Sequence, residues 1–117
     1  MPCANITVSC KVPKAQADVI VQKACKILSD VIGKPISYCM ATLAVLEGGG
    51  AMDGESAAPV AFVSVQSIGG LSPKVNKKLS SGFCSMLNEV LEIDMDRIYM
   101  NFKTFSGSSW GYNKSTF

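Results

Sequence analysis

Pro2, next to Met1, is the residue of this sequence with the most chemistry in reach. Removal of Met1 would leave it as a free secondary amine at the chain end. An α-amino group ordinarily titrates near about 8, and burial or a neighbouring cation lowers that value. Such an amine can act as a general base at neutral pH. The chain contains no histidine, so the usual base for that range is missing. Lys34, between Gly33 and Pro35, has two readings. It is a surface lysine at a helix exit, where it favours the dipole by about 0.3–1 kcal/mol. Alternatively it is a cation beside a small acidic substrate, which would also depress a nearby amine. Tyr99 and Asn101, two apart on an alternating segment, project from one sheet face, with Lys103 following. Ser67-Ile68-Gly69-Gly70 permits a tight turn whose N–H groups could hold a carboxylate, although its spacing matches neither nucleotide motif. Arg97, the only arginine, follows Asp94 and Asp96 and reads as a local ion pair at a strand entrance.

The elements that must position these residues follow from hydrophobic period. Cys3 to Cys10 alternates, with Ala4, Ile6, Val8 and Cys10 on one side, which predicts a half-buried strand. From Lys14 to Ile32 the apolar residues Ala17, Ile20, Val21, Ala24, Ile27, Leu28 and Val31 recur at helical spacing. Gly33 and Pro35 end that helix. Tyr38 to Leu46 reads as a second strand, and Glu47 to Pro59 as a mobile Gly/Ala-rich loop. Val60 to Gln66 is a third strand. Ser72 and Pro73 open a second helix as N-cap and first-turn proline. Its inner face carries Val75, Leu79, Phe83, Met86, Leu87 and Val90. A last strand runs from about Arg97 to Phe105, with a short tail to Phe117.

The order is β-α-β, loop, β-α-β, with pseudo-repeats over about 1–46 and 60–105. This predicts one α/β (α+β) domain over 1–117: a four-stranded sheet with both helices on one face. The second face is left bare, and self-association is the cheapest way to cover it.

Composition excludes several classes. Net charge is +2, from ten lysines and one arginine against nine acids, with no basic run for nucleic acid. No stretch approaches the ~20 apolar residues of a membrane span. The five cysteines, Cys3, Cys10, Cys25, Cys39 and Cys84, are odd in number and widely spaced. Without a secretory signal they read as reduced, buried thiols of a cytoplasmic protein. With no Cys-x-x-Cys pair and no histidine, no metal site is expected.

Several motifs in their order resemble the macrophage migration inhibitory factor family of the tautomerase superfamily, over nearly the whole chain. They are Met1-Pro2-Cys3, Gly33-Lys34-Pro35 with Ser37-Tyr38, Ser67-Ile68-Gly69-Gly70, Asp96-Arg97-Ile98-Tyr99-Met100-Asn101-Phe102, and Trp110-Gly111-Tyr112-Asn113-Lys114-Ser115-Thr116-Phe117. The resemblance implies a homotrimer with sheets around a central channel and an active site between two subunits. It implies a cofactor-free keto–enol tautomerase acting on phenylpyruvate- or dopachrome-type enol and keto acids. Pro2 would be the base, while Lys34 and the backbone at Ile68 hold the substrate carboxylate. Tyr99 and Asn101 would enter from the neighbouring subunit, Tyr38 would line the pocket and Trp110 its rim. The resemblance also implies an alternative: a leaderless, secreted, cytokine-like protein that binds a cell-surface receptor and keeps a vestigial pocket.

Four departures from the family pattern stand out. The 47–59 loop lacks a Phe-Gly-Gly-Ser stretch. Val60-Ala61-Phe62-Val63 stands where some members carry Cys-x-x-Cys, so thiol–disulfide exchange is not expected. Trp110 replaces a small or aliphatic residue, and Tyr112 a tryptophan. Cys3 beside Pro2 is expected to make the site sensitive to oxidation.

Overall fold

A computed structural model describes residues 1–117. The elements are β1 (Pro2–Val8), α1 (Lys14–Ile32), β2 (Met40–Val45), β3 (Ala61–Ser67), α2 (Pro73–Leu91), β4 (Ile98–Thr104) and a small pair, β5 (Gly111–Tyr112) and β6 (Ser115–Thr116). The main sheet has the order β2-β1-β3-β4. β1 runs parallel to β2 and antiparallel to β3, and β3 runs parallel to β4.

Strand period and helix stripe meet in one core. Ala4, Ile6 and Val8 of β1 lie opposite Val65, Val63 and Ala61 of β3. All are buried, together with Ile20, Ala24 and Leu28 of α1 and Leu79, Phe83, Met86 and Leu87 of α2. Both helices therefore cover the same sheet face, as the stripes predict. The caps follow local chemistry. The Ser72 hydroxyl accepts from the Val75 N–H at 3.2 Å, and Pro73 stands in the first turn, where its missing N–H costs nothing. Gly33 ends α1 at φ 82, its N–H reaching the Ser29 carbonyl. No helix is long and apolar enough to cross a membrane.

The other sheet face is bare in the single chain. Asn5 donates to the Thr42 hydroxyl at 2.8 Å on it, while Tyr99 is 63%, Met40 61% and Phe62 42% exposed.

Four expectations change. β1 stops at Val8 rather than Cys10, because Ser9 bends away and clasps Val60: its N–H donates to that carbonyl, and its hydroxyl accepts the Val60 N–H. The cysteines are half-buried rather than buried. The tail is a hairpin, whose turn residues Asn113 and Lys114 have φ of 48 and 68, the left-handed pair that a tight two-residue turn needs.

Arg97 makes no ion pair; the two present are Lys14–Asp18 and Lys26–Asp30. Its guanidinium instead donates to the carbonyls of Glu55 (2.8 Å), Ala58 (3.0 Å) and Pro59 (3.1 Å). Three inward carbonyls have no other donor of that forked shape, whereas Asp94 and Asp96 stay solvated at the surface. The 47–59 loop is thus stapled to the start of β4. Arg97→Lys, which keeps the charge and loses the fork, is expected to cost about 1–3 kcal/mol in thermal unfolding. Amide exchange should rise across residues 50–60, and unchanged protection there would show the staple to be idle.

Candidate active site at the amino end of the sheet

β1 and β2 begin, and β3 ends, at the same edge of the molecule, where a cleft of about 220 Å³ opens. Its floor is Pro2, fully buried and paired with Ser67 across the strands. Ser67 is buried too, and its hydroxyl donates to the Gly69 carbonyl at 2.7 Å. That bond fixes the turn holding Ile68, itself half-buried just beyond β3.

The walls are aromatic. Tyr38 sits at the end of a short 3-10 turn, Ile36–Tyr38, which delivers the chain to β2. Phe117 meets Tyr38 edge-on (6.5 Å, 82°) and stacks on Tyr112 (5.0 Å, 18°). Trp110 stands edge-on to Phe105 at 5.8 Å. The β5–β6 hairpin folds back because the Phe117 N–H is shared between the carbonyls of Gly107 and Trp110, each at 3.2 Å. A Cβ at Gly107 would lie 2.7 Å from the Phe117 carbonyl, so only glycine allows that approach.

The electrostatics favour a neutral amine. The amino group of Met1, next to Pro2, is held below its ordinary value, first by burial and then by the Lys34 charge, with Cys39 opposing. Cys3 and Cys39 also line the cleft. Burial, with Cys25 adding to it, pushes both thiols up. At Cys3 this works against the expected oxidation, since a raised thiol carries less of the thiolate that reacts.

A single chain brings Pro2, Tyr38 and Trp110 into the cleft. Lys34 is close enough to act on the amine, and Ile68 follows directly on Ser67. Tyr99 and Asn101 lie elsewhere, on the bare face opposite Phe62 and Ser64. Tyr99 borders a second groove of about 340 Å³ with Thr7, Met52, Phe62 and Arg97. Its row is that of Thr7, five residues along β1 from Pro2, or roughly 17 Å at strand rise. No small substrate on Pro2 reaches Tyr99 of the same chain.

Met40 and Phe117, which the sequence reading leaves without a role in the site, line the cleft together with Tyr112. The available signal was Asn113 in a tail flanked by aromatic residues, a turn-former between two short extended pieces. The arrangement suits proton transfer on a small, partly aromatic anion. It offers a chain-end nitrogen whose charged form burial disfavours, a cation to one side and ring faces for walls.

The family model described as macrophage migration inhibitory factor (MIF) matches residues 1–117. A macrophage migration inhibitory factor homolog of Trichuris trichiura is 34% identical over 95% of this chain and 96% of its own. The crystal structure of a macrophage migration inhibitory factor-like protein from Entamoeba histolytica superposes with a TM-score of 0.93 at 37% identity, covering 99% and 98% of the two chains. A homologue from Prochlorococcus marinus gives 0.91 at 30% identity, covering 98% of each.

Phe117→Ala removes both ring contacts of the hairpin. Amide exchange at Gly111 and Thr116 should then rise, with global stability falling by no more than about 1.5 kcal/mol beyond the area lost. Protection of β5–β6 equal to wild type would mean that the backbone alone holds the wall.

Proposed function

The chain belongs to the macrophage migration inhibitory factor family, and from that premise we propose that it is a cofactor-free keto–enol tautomerase with Pro2 as its base. The reading is carried by one observation: Pro2 is buried at the cleft, where burial and the Lys34 charge lower the amino group of Met1, the residue just before it. Removal of Met1 uncovers the Pro2 nitrogen at the floor of that cleft. The neutral amine takes a proton from the carbon beside the carbonyl of a 2-keto acid, and the resulting ammonium returns it to the enolate oxygen; the reverse path runs through the same atoms. Lys34 and the Ile68 N–H hold the substrate carboxylate, which fixes the reacting carbon over the nitrogen. Tyr38 and Trp110 enclose the substrate's side group, and phenylpyruvate and dopachrome-type compounds are the proposed substrates.

Tyr99 and Asn101 take part as donors from a second subunit of a homotrimer. The support is twofold: their exposure on a bare face, and the span between them and Pro2 within one chain. The cytoplasm is the proposed location. A second reading, receptor binding by an exported form with an idle pocket, is favoured for any molecule that retains Met1. There Pro2 is an amide nitrogen with no basicity.

The test is phenylpyruvate tautomerisation by protein whose N-terminus has been verified by mass. Processed protein is expected to be active, and Pro2→Gly and the Met1-retaining form to lose at least about 10²-fold, the usual share of a general base. An amine base works only when deprotonated; with burial and Lys34 acting on Pro2 as they act on Met1, the acid limb of kcat/KM is expected below the ordinary amine value of about 8. Lys34→Ala should move that limb upward. Activity in Pro2-capped protein equal to the processed form would sink the assignment. Light scattering should return three times the mass of one chain; a monomer at micromolar concentration would refute the shared site.

A further inference from the structure

The Ser67–Gly70 turn contains two glycines with nearly the same backbone and very different surroundings. Gly69 and Gly70 have φ of 69 and 78, both left-handed. A Cβ at Gly69 would meet nothing within 4 Å, whereas one at Gly70 would stand 2.7 Å from Ile32 Cγ2 and 3.6 Å from Lys34 Cε. Ile32 is the last residue of α1, and its branched side chain is stiff about χ1, so Cγ2 has no easy retreat. Lys34 follows two residues later, with its carbonyl held by the Ser29 hydroxyl at 2.6 Å. The turn, the end of α1 and the stem of Lys34 therefore pack as one unit, closed over the place where residue 70 has no side chain.

We propose that Gly70 is a positioning residue, whose bare Cα lets Lys34 lie against the turn with its ammonium held toward the amino end of β1 and the substrate carboxylate. The proposal rests on the reading of Pro2 as base and Lys34 as carboxylate holder, and it names what aims the lysine. The titratable groups around the amino end of β1 are Lys34 from the exit of α1, Cys3 of β1, Cys39 just before β2, and Tyr38 and Tyr112 across the cleft. Among them Lys34 alone bears a positive charge, and it alone touches the space that a methyl group at residue 70 would fill.

Met1-processed wild type, Gly70→Ala, Gly69→Ala, Ile32→Ala and the double variant Gly70→Ala/Ile32→Ala decide the matter with two readouts. One is the NMR titration of isotope-labelled Pro2; the other is kcat and KM for phenylpyruvate. In Gly70→Ala the amine should titrate nearer the ordinary value of about 8. KM should rise about tenfold, as for a weakened charge-assisted contact, with a smaller change in kcat. Gly69→Ala carries the same backbone strain without the collision, and should titrate as wild type. Removing Ile32 Cγ2 in the double variant should restore the titration. Should Gly70→Ala not fold, the double variant, relieved of its collision, is still expected to fold and titrate as wild type.

The proposal is overturned if folded Gly70→Ala titrates as wild type, if Gly69→Ala shifts the amine equally, or if the double variant folds with the amine still raised. An inactive wild type showing the expected titration pattern would leave the positioning role standing and remove the catalytic reading. An active wild type whose two glycine variants behave alike would do the reverse.

Discussion

The antiparallel register of β1 against β3 is the constraint on which the rest of the molecule depends. Pro2 opposite Ser67, Ala4 opposite Val65 and Ile6 opposite Val63 are consecutive steps of one ladder. Because side chains alternate with period two, a slip of one residue would turn the core of β1 to solvent and lift Pro2 off the helix-facing side. The same apolar burial that stabilises the fold therefore sets the depth of the proposed base. Ala4, Ile6 and Val8 are close to fully buried, so that register is held by several kcal/mol of apolar burial at about 1.5–3 kcal/mol for each large side chain.

The electrostatic character of the cleft follows from two packing events far apart in sequence. The ring contacts of Phe117 with Tyr38 and Tyr112 bring the last residues over the first ones, removing water from the amino end. The close approach of the 67–70 turn to the end of α1 brings Lys34 to its side. Desolvation and a neighbouring cation act on an amine in the same direction, since both disfavour its charged form. On a carboxylate they would oppose each other. This is a physical reason why an amine, rather than an acid, suits this position as a base in a chain without histidine.

The bare face is the complement of that arrangement. Its polar members satisfy one another locally, Asn5 with Thr42 and Gln66 with Ser64. Tyr99, Phe62 and Met40 have no such partners and remain exposed. Arg97 steadies the neighbouring 47–59 loop by backbone contacts, so the groove beside Tyr99 has one firm wall. A face with an ordered rim and exposed rings is better suited to a second protein surface than to bulk solvent. This is the ground for placing the proposed donors of one subunit beside the base of another.

Element types and their order were legible in the sequence because period two, period 3.6 and capping chemistry are local properties. The α1 boundaries, the Ser72 cap and the split of β4 into inward Ile98 and Met100 and outward Tyr99 and Asn101 all follow from neighbours in the chain. The motif order identified the family for the same reason. What the sequence could not supply were contacts between residues with no local relation. Arg97 turned to three carbonyls rather than to Asp94 and Asp96, since the loop that it meets comes from about forty positions earlier, a distance set only by folding. Phe117 became a wall of a cleft floored by Pro2, at the opposite end of the chain. The sequence by itself thus determined which groups could do chemistry and which sheet face each would take. Only the tertiary structure decided which of them share a cleft, because strand pairing and aromatic packing fix distances that period alone leaves free.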